Sequence, residues 1–316
     1  MNEEKNTPET QAANLLIEAL IREQKKNRQA AYIRYGLLAF VGLSYLGAFI
    51  WQAQADDSRS AKPYAALVKV EGQIIPGSDA SIDVLRPVLR RAFSDKEAKG
   101  VVLVINSPGG TPVQSSEIHD LIVKLKKEYN KPVIAIGEDL MASGAYMIAV
   151  AADHIFVNRS TVAGSIGVVS RGFGFTGLME KLGIERRVAT AGEAKNLLDP
   201  FSEQTPQDKE KQAELLASIH EHFKDVVKQG RGDRLNLQTA GLFSGTVWTG
   251  EQAVAIGLAD KIGGLDDALS ALDVKEAVRY APPRSLLETL TSNMRVNVSI
   301  NWATPETSGS AIHLLP

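Results

Sequence analysis

Three short stretches of this chain hold groups suited to acyl-transfer chemistry. Met141-Ala142-Ser143-Gly144-Ala145-Tyr146 follows an apolar run, PVIAI (132–136). Ser143 would then stand where a strand turns into a helix, near the positive end of the helix. Gly144 leaves an unshielded amide beside it, and an amide just after a nucleophile is a common oxyanion donor. Asn106-Ser107-Pro108-Gly109-Gly110 follows a second apolar run, VVLVIN (101–106). Paired glycines let backbone amides approach a ligand closely, offering an oxyanion donor and a rail for an extended peptide. Gly192-Glu193-Ala194-Lys195-Asn196-Leu197-Leu198 places a lysine among apolar neighbours. A serine hydroxyl needs a base, and a neutral lysine serves where desolvation disfavours the ammonium form. Read singly, each has a plainer explanation: a helix N-cap for Ser143, a Pro-Gly turn for 106–110, a solvated surface lysine for Lys195.

The surrounding pattern supplies elements that could converge these groups. Residues 64–70, 101–106, 132–136 and 154–157 read as strands, the second of them buried on both faces. Helical spacing occupies 82–94 and 113–129, and a small-residue helix covers 143–152. The alternation β-α-β-α-β-α-β at short spacing implies an α/β fold wound right-handed around a mainly parallel sheet. Ligands in such sheets bind beyond the carboxyl ends of the strands, where Ser143 and the 106–110 turn fall. A long charged helix follows at 205–229, a further helix at 249–256 and an edge segment at 258–262.

Ahead of this domain lies Tyr35 to Trp51, an uncharged run of 17 residues. As a helix it would rise about 26 Å, close to the hydrocarbon thickness of a bilayer, about 30 Å. Arg22, Lys25, Lys26, Arg28 and Arg34 precede it, and Asp56 and Asp57 follow. The positive-inside rule therefore predicts a cytoplasmic segment 1–34, a signal anchor at 35–51, a linker at 52–63, a domain at 64–282 outside the membrane, and a C-terminal extension at 283–316. The Ala53-Gln54-Ala55 triplet resembles a cleavage site. The long charged lead-in and the length of the apolar run favour an uncleaved anchor.

Several chemistries find no support. The chain has no cysteine, which removes thiol catalysis and thiolate metal sites. Its five histidines form no HxxH pattern, so neither a metal nor a cofactor is expected. A formal net charge of −2 gives no reason to expect nucleic acid. Gly172 to Gly177 spells GxGxxG but lacks a clear acidic ribose partner. Arg231-Gly232-Asp233 spells an adhesion tripeptide by chance at a helix end, and Asn158-Arg159-Ser160 is a glycosylation acceptor pattern only in a eukaryotic secretory setting.

Taken together, VINSPGG (104–110), MASGAY (141–146), STVAGSIGV (160–168), GEAKNLLDPF (192–201) and TGEQAVAIGLAD (249–260) resemble the signal peptide peptidase A family of serine peptidases. The resemblance covers roughly 64–275 and implies a Clp/crotonase-like fold. It makes Ser143 the nucleophile, Lys195 the general base, and the amides of Gly110 and Gly144 the oxyanion donors. Ser165 would help to orient the lysine. A Ser-His-Asp triad of the Clp type fits poorly, because His154 follows the serine helix too soon and His119 precedes the serine. Each block occurs once, as in the family's short forms, which implies a homo-oligomeric ring whose sites are shared between protomers. The resemblance further implies a bacterial inner-membrane enzyme acting on signal-peptide remnants and other unfolded hydrophobic peptides. The non-enzymatic alternative is a membrane-tethered scaffold that only binds peptides, and a serine-directed fluorophosphonate separates the two.

Overall fold

The computed structural model describes residues 22, 25, 28, 35–47, 63–192 and 194–282. Most of the expected cytoplasmic segment and linker, the end of the expected anchor and the extension 283–316 lie outside these residues. The chain divides into two units, Met1–Lys62 and Pro63–Pro316. In the first, the described residues 35–47 form a helix, α1, with Leu37, Leu38, Phe40 and Leu43 exposed. Among the described residues no helix is long and apolar enough to cross a membrane.

The second unit is built on an eight-stranded sheet. Its elements are β1 (Tyr64–Glu71), α2 (Ile82–Ser94), β2 (Ala98–Ser107), α3 (Pro112–Tyr129), β3 (Val133–Ala142), α4 (Gly144–Ala149), β4 (His154–Val157), β5 (Val162–Gly164), α5 (Thr176–Lys181), α6 (Pro206–Arg231), β6 (Val247–Thr249), α7 (Gly250–Ala255), β7 (Lys261–Ile262), α8 (Leu265–Ala271) and β8 (Ala277–Tyr280). Strand order is β6-β5-β3-β2-β1-β8, with β4 pairing β3 and β7. Every pairing is parallel except β5 with β6. The apolar run in β2 is buried on both faces. Val101, Leu103 and Ile105 join the larger core with α2, α3, α4 and α6, while Val102 and Val104 join a smaller one with Ala268 and Leu269 of α8.

The bend in β3 does most to shape the site. Residues Ile134–Gly137 pair with β4, whereas Leu140–Ala142 pair with β5. Against β2 the register slips between Ile105↔Gly137 and Ser107↔Met141, so extra residues bulge out on β3. The bulge frees backbone groups, and side chains take them up. Asn106 Oδ1 accepts from the Leu140 N–H at 3.2 Å, and Thr161 Oγ1 donates to the Gly137 carbonyl at 3.0 Å. This re-aimed strand end leads directly into Ser143.

A buried ion pair secures the helix that follows. Arg231 is 1% exposed and grips Asp260 with both guanidinium nitrogens at 2.9 Å. Its Nε donates to the Gly257 carbonyl at 2.8 Å. Tyr146 of α4 is wholly buried and donates its hydroxyl to the Leu258 carbonyl at 2.8 Å, so the same turn braces α4. Burial pushes the Asp260 carboxyl up. Hydrogen bonds from Arg231 and the Ile155 N–H outweigh that and leave it below the usual carboxylate range. The contribution is therefore present above the ordinary carboxylate range and is lost as pH falls through the lowered value. Arg231→Met should lower the unfolding free energy by about 3 kcal/mol, because Asp260 stays partly buried and keeps only the more exposed Arg234, at 3.2 Å, as a cationic partner. Urea titration at neutral pH reads this directly. A buried Arg231 also removes Arg231-Gly232-Asp233 from display as an adhesion tripeptide.

Candidate active site

Ser143 occupies the sharp turn between β3 and α4 with φ 53° and ψ −126°. This lies outside the regions open to ordinary residues, and holding a non-glycine residue there costs roughly 1–3 kcal/mol. The surroundings impose it: the Ser143 N–H donates to the Gly164 carbonyl of β5 at 2.8 Å, and its carbonyl accepts from Met147 N–H at 3.1 Å. Although Ser143 is the N-cap residue of α4, its side chain makes no capping hydrogen bond. The hydroxyl is thus not committed to the plainer role that the sequence allows.

Two backbone donors stand beside it. Gly144 is buried at the first position of α4, where an N–H has no partner within the helix. Ile74 bridges the 106–110 turn by donating to Gly109 O and accepting from Thr111 N–H, both at 2.9 Å. That pattern turns the Gly110 N–H away from Ile74. Glycine is required for so close a fit. A Cβ on Gly109, whose φ is +92°, would lie 2.6 Å from Gly144 N, and one on Gly144 would lie 2.1 Å from Ser115 Oγ and 3.3 Å from Gly110 N. Gly110, Ser143 and Gly144 line one cavity of about 100 Å³ with Met147, Val168 and Phe223.

The structure distributes the sequence-predicted residues unevenly. Gly110, Ser143 and Gly144 come together. Ser165 follows β5 with φ +52°, half-buried, its N–H donating to Thr246 O at 2.8 Å. Lys195 lies on an exposed turn and is not among the residues lining the Ser143 cavity. No histidine lines that cavity either. His119 pairs with Asp120 at 2.8 Å, and burial holds its pKa below the usual value. His220 bonds the Ile166 carbonyl at 3.2 Å. Gly172 and Gly174 precede the six-residue α5, Gly177 lies within it, and no strand leads into them, so they form no dinucleotide cradle. Sequence reasoning missed Ser115, Met147, Ile219 and Phe223. Met147 lies one helical turn after Ser143 and was findable. Phe223 arrives from α6 and has no local signal.

The model for peptidase family S49 matches residues 125–279, a stretch containing Ser143, Ser165 and Lys195. A Brucella melitensis protein named Na(+)/H(+) antiporter NhaA is 43% identical over 219 residues, covering 68% of this chain and 29% of that one. An Enterococcus faecium protein provisionally named signal peptide peptidase SppA is 36% identical, covering 58% of this chain and 53% of its own length. A Synechocystis protein provisionally named as a protease is 30% identical over 270 residues, covering 79% of this chain and 95% of that protein. The chain thus spans under a third of the first of these, about half of the second and nearly all of the third. With its elbow serine and glycine-built donors inside the matched region or packed against it, the chain belongs to peptidase family S49, the signal peptide peptidase A family of serine peptidases.

Proposed function

We propose that the chain is a membrane-anchored serine endopeptidase of Clp/crotonase-like fold, with Ser143 as nucleophile and Lys195 as general base. The observation that carries this is the uncapped Ser143 hydroxyl on a strained turn, sharing a cavity with the Gly110 and Gly144 amides. The neutral Lys195 Nζ takes the proton from Ser143 Oγ as Oγ bonds to the scissile carbonyl carbon. The Gly110 and Gly144 N–H groups hold the oxyanion. As the C–N bond breaks, Nζ returns the proton to the leaving amine. Water then attacks the acyl-enzyme, restoring Ser143 and releasing the acid.

Lys195 reaches Ser143, on this reading, from a neighbouring protomer in a homo-oligomeric ring. The stretch bearing Lys195 exposes Phe173, Leu178, Leu182, Ile184 and Leu198, and Phe173 is 82% exposed. Exposed apolar side chains gathered in one stretch of chain suit burial against a neighbouring copy. Ser165 is assigned to orienting the incoming lysine. Anchoring at 35–51, with the domain outside a bacterial inner membrane, is supported by the exposed apolar side chains of α1 and by the flanking charges. Substrates are membrane-bound signal-peptide remnants and other unfolded hydrophobic peptides.

The cavity gives a size limit. An apolar cavity of about 150 Å³ holds a benzene ring, and this one is about 100 Å³. Alanine, valine and leucine side chains should enter it and aromatic rings should not. A fluorogenic peptide series varied at the residue donating the scissile carbonyl tests this. Phe223→Leu, which shortens one wall, should raise kcat/KM for phenylalanine relative to leucine about tenfold. An unchanged ratio would place substrate side chains elsewhere.

A further inference from the structure

The turn that carries Lys195 has little backbone support of its own. Lys195 N–H reaches Gly192 O at 3.2 Å, Leu197 N–H reaches Ala194 O at 3.4 Å, and Asp199 N–H reaches Asn196 O at 3.2 Å. Bonds at this length on an exposed segment open readily. A general base displaced by about 1 Å loses on the order of a hundredfold in rate. Something must therefore hold the turn, and a side-chain chain does so. Asn196 Nδ2, on the residue next to Lys195, donates to Ser202 Oγ at 2.8 Å. Ser202 Oγ donates in turn to Asp199 Oδ2 at 2.7 Å. The other oxygen, Asp199 Oδ1, accepts from Phe201 N–H at 3.3 Å and from the Arg186 guanidinium.

That carboxylate is an anchored centre. Its side chain is only 8% exposed although Lys195 and Leu198 nearby are exposed. The Arg186 guanidinium lies 5.1 Å from the centroid of the Phe201 ring, which stacks on Phe175 at 5.4 Å. Phe175 N–H donates to Pro200 O at 2.7 Å and closes the assembly. Burial raises the Asp199 carboxyl, but hydrogen bonds from Ser202 and Arg186 outweigh it, so the group stays charged at working pH. A charged acceptor makes stronger hydrogen bonds than a neutral one, which suits a tether.

We propose that Asp199 is a positioning residue: through Ser202 and Asn196 it holds the Lys195 turn in the shape that presents the lysine to Ser143. The proposal rests on the Ser/Lys reading above and assigns Asp199 no contact with substrate. The experiment uses the full-length chain in detergent micelles, with kcat and KM from a fluorogenic peptide and assembly followed by size-exclusion chromatography. Asp199→Asn should lower kcat about 30-fold and leave KM within about twofold, because the peptide-binding groups are on other elements. Ser202→Ala should lower kcat in the same way, and Ser202→Thr, which keeps the hydroxyl, should restore it. Adding Asn196→Ala to Asp199→Asn should cost nothing further, since both cut one chain of bonds. Unchanged kcat in Asp199→Asn overturns the proposal, as do multiplied losses in the double variant or a Ser202→Thr as impaired as Ser202→Ala. If Asp199→Asn does not assemble, the Ser202 pair decides alone. Lys195→Ala is measured alongside: if it is inactive while Asp199→Asn is unimpaired, the tether fails alone, whereas an active Lys195→Ala overturns the dyad itself.

Discussion

Ser143→Ala should reduce kcat by at least about 10⁴-fold while KM stays within about threefold. On the proposed assignment the hydroxyl contributes the bond-forming atom and little ground-state binding. Cavity lining from Met147, Val168 and Phe223 and both glycine amides survive the change. Whatever hydrolysis remains comes from the oxyanion donors and substrate binding, which act without a nucleophile. Fluorophosphonate labelling should vanish with turnover, and labelling that persists would move the nucleophile elsewhere. A companion variant separates chemistry from strain. Ser143→Gly should be equally inactive yet more stable by about 1 kcal/mol, because glycine accepts the positive φ that serine resists. A higher thermal midpoint in the dead glycine variant is the expected sign of strain held for function. If Ser143→Gly is no more stable than Ser143→Ala, the turn is not strained in solution.

How much of this was legible from sequence depends on the range of the determining contacts. The VVLVIN run foretold a strand buried on both faces, and the helical spacing of 82–94 matched α2 residue for residue. The strand expected at 132–136 instead runs on to Ala142. Exposed Glu138 and Asp139 interrupt its apolar pattern, and the pairing that extends it, with β5, is set by residues about twenty positions away. β5 and β6 are three residues each and too short to show a period. In the site, the glycines were readable because glycine is needed wherever backbones press together. The elbow dihedrals of Ser143 were not, since they are imposed by the Gly164 carbonyl across the sheet. The Asp199 tether has no periodic signal, although its five hydrogen-bonding and stacking partners, Phe175, Arg186, Asn196, Phe201 and Ser202, all lie within residues 175–202.

The second large effect concerns Lys195. Lys195→Ala should lower kcat by about 10³-fold or more, with fluorophosphonate labelling of Ser143 slowed in proportion, because on the proposed assignment the same base activates both reactions. Sequential order alone would let one chain supply both residues. The structure leaves Lys195 exposed and outside the Ser143 cavity, and the proposal therefore draws the base from a neighbouring copy. Co-expressing Ser143→Ala and Lys195→Ala chains discriminates the two arrangements sharply. Were each site made by one chain, every site in a mixed ring would lack one residue and no activity would return. With sites shared between neighbours in a cyclic assembly, a boundary works when its serine comes from the Lys195→Ala chain and its lysine from the Ser143→Ala chain. Random mixing of equal amounts gives each condition at half the boundaries, so about one quarter of wild-type activity should return. Varying the mixing ratio should give a symmetric maximum at equal amounts, since the yield is the product of the two fractions. Differentially tagged chains purified in tandem establish that mixed rings formed. Mixed rings with no recovered turnover would confine each site to one protomer, and Lys195 would then have to reach Ser143 by a rearrangement within its own chain.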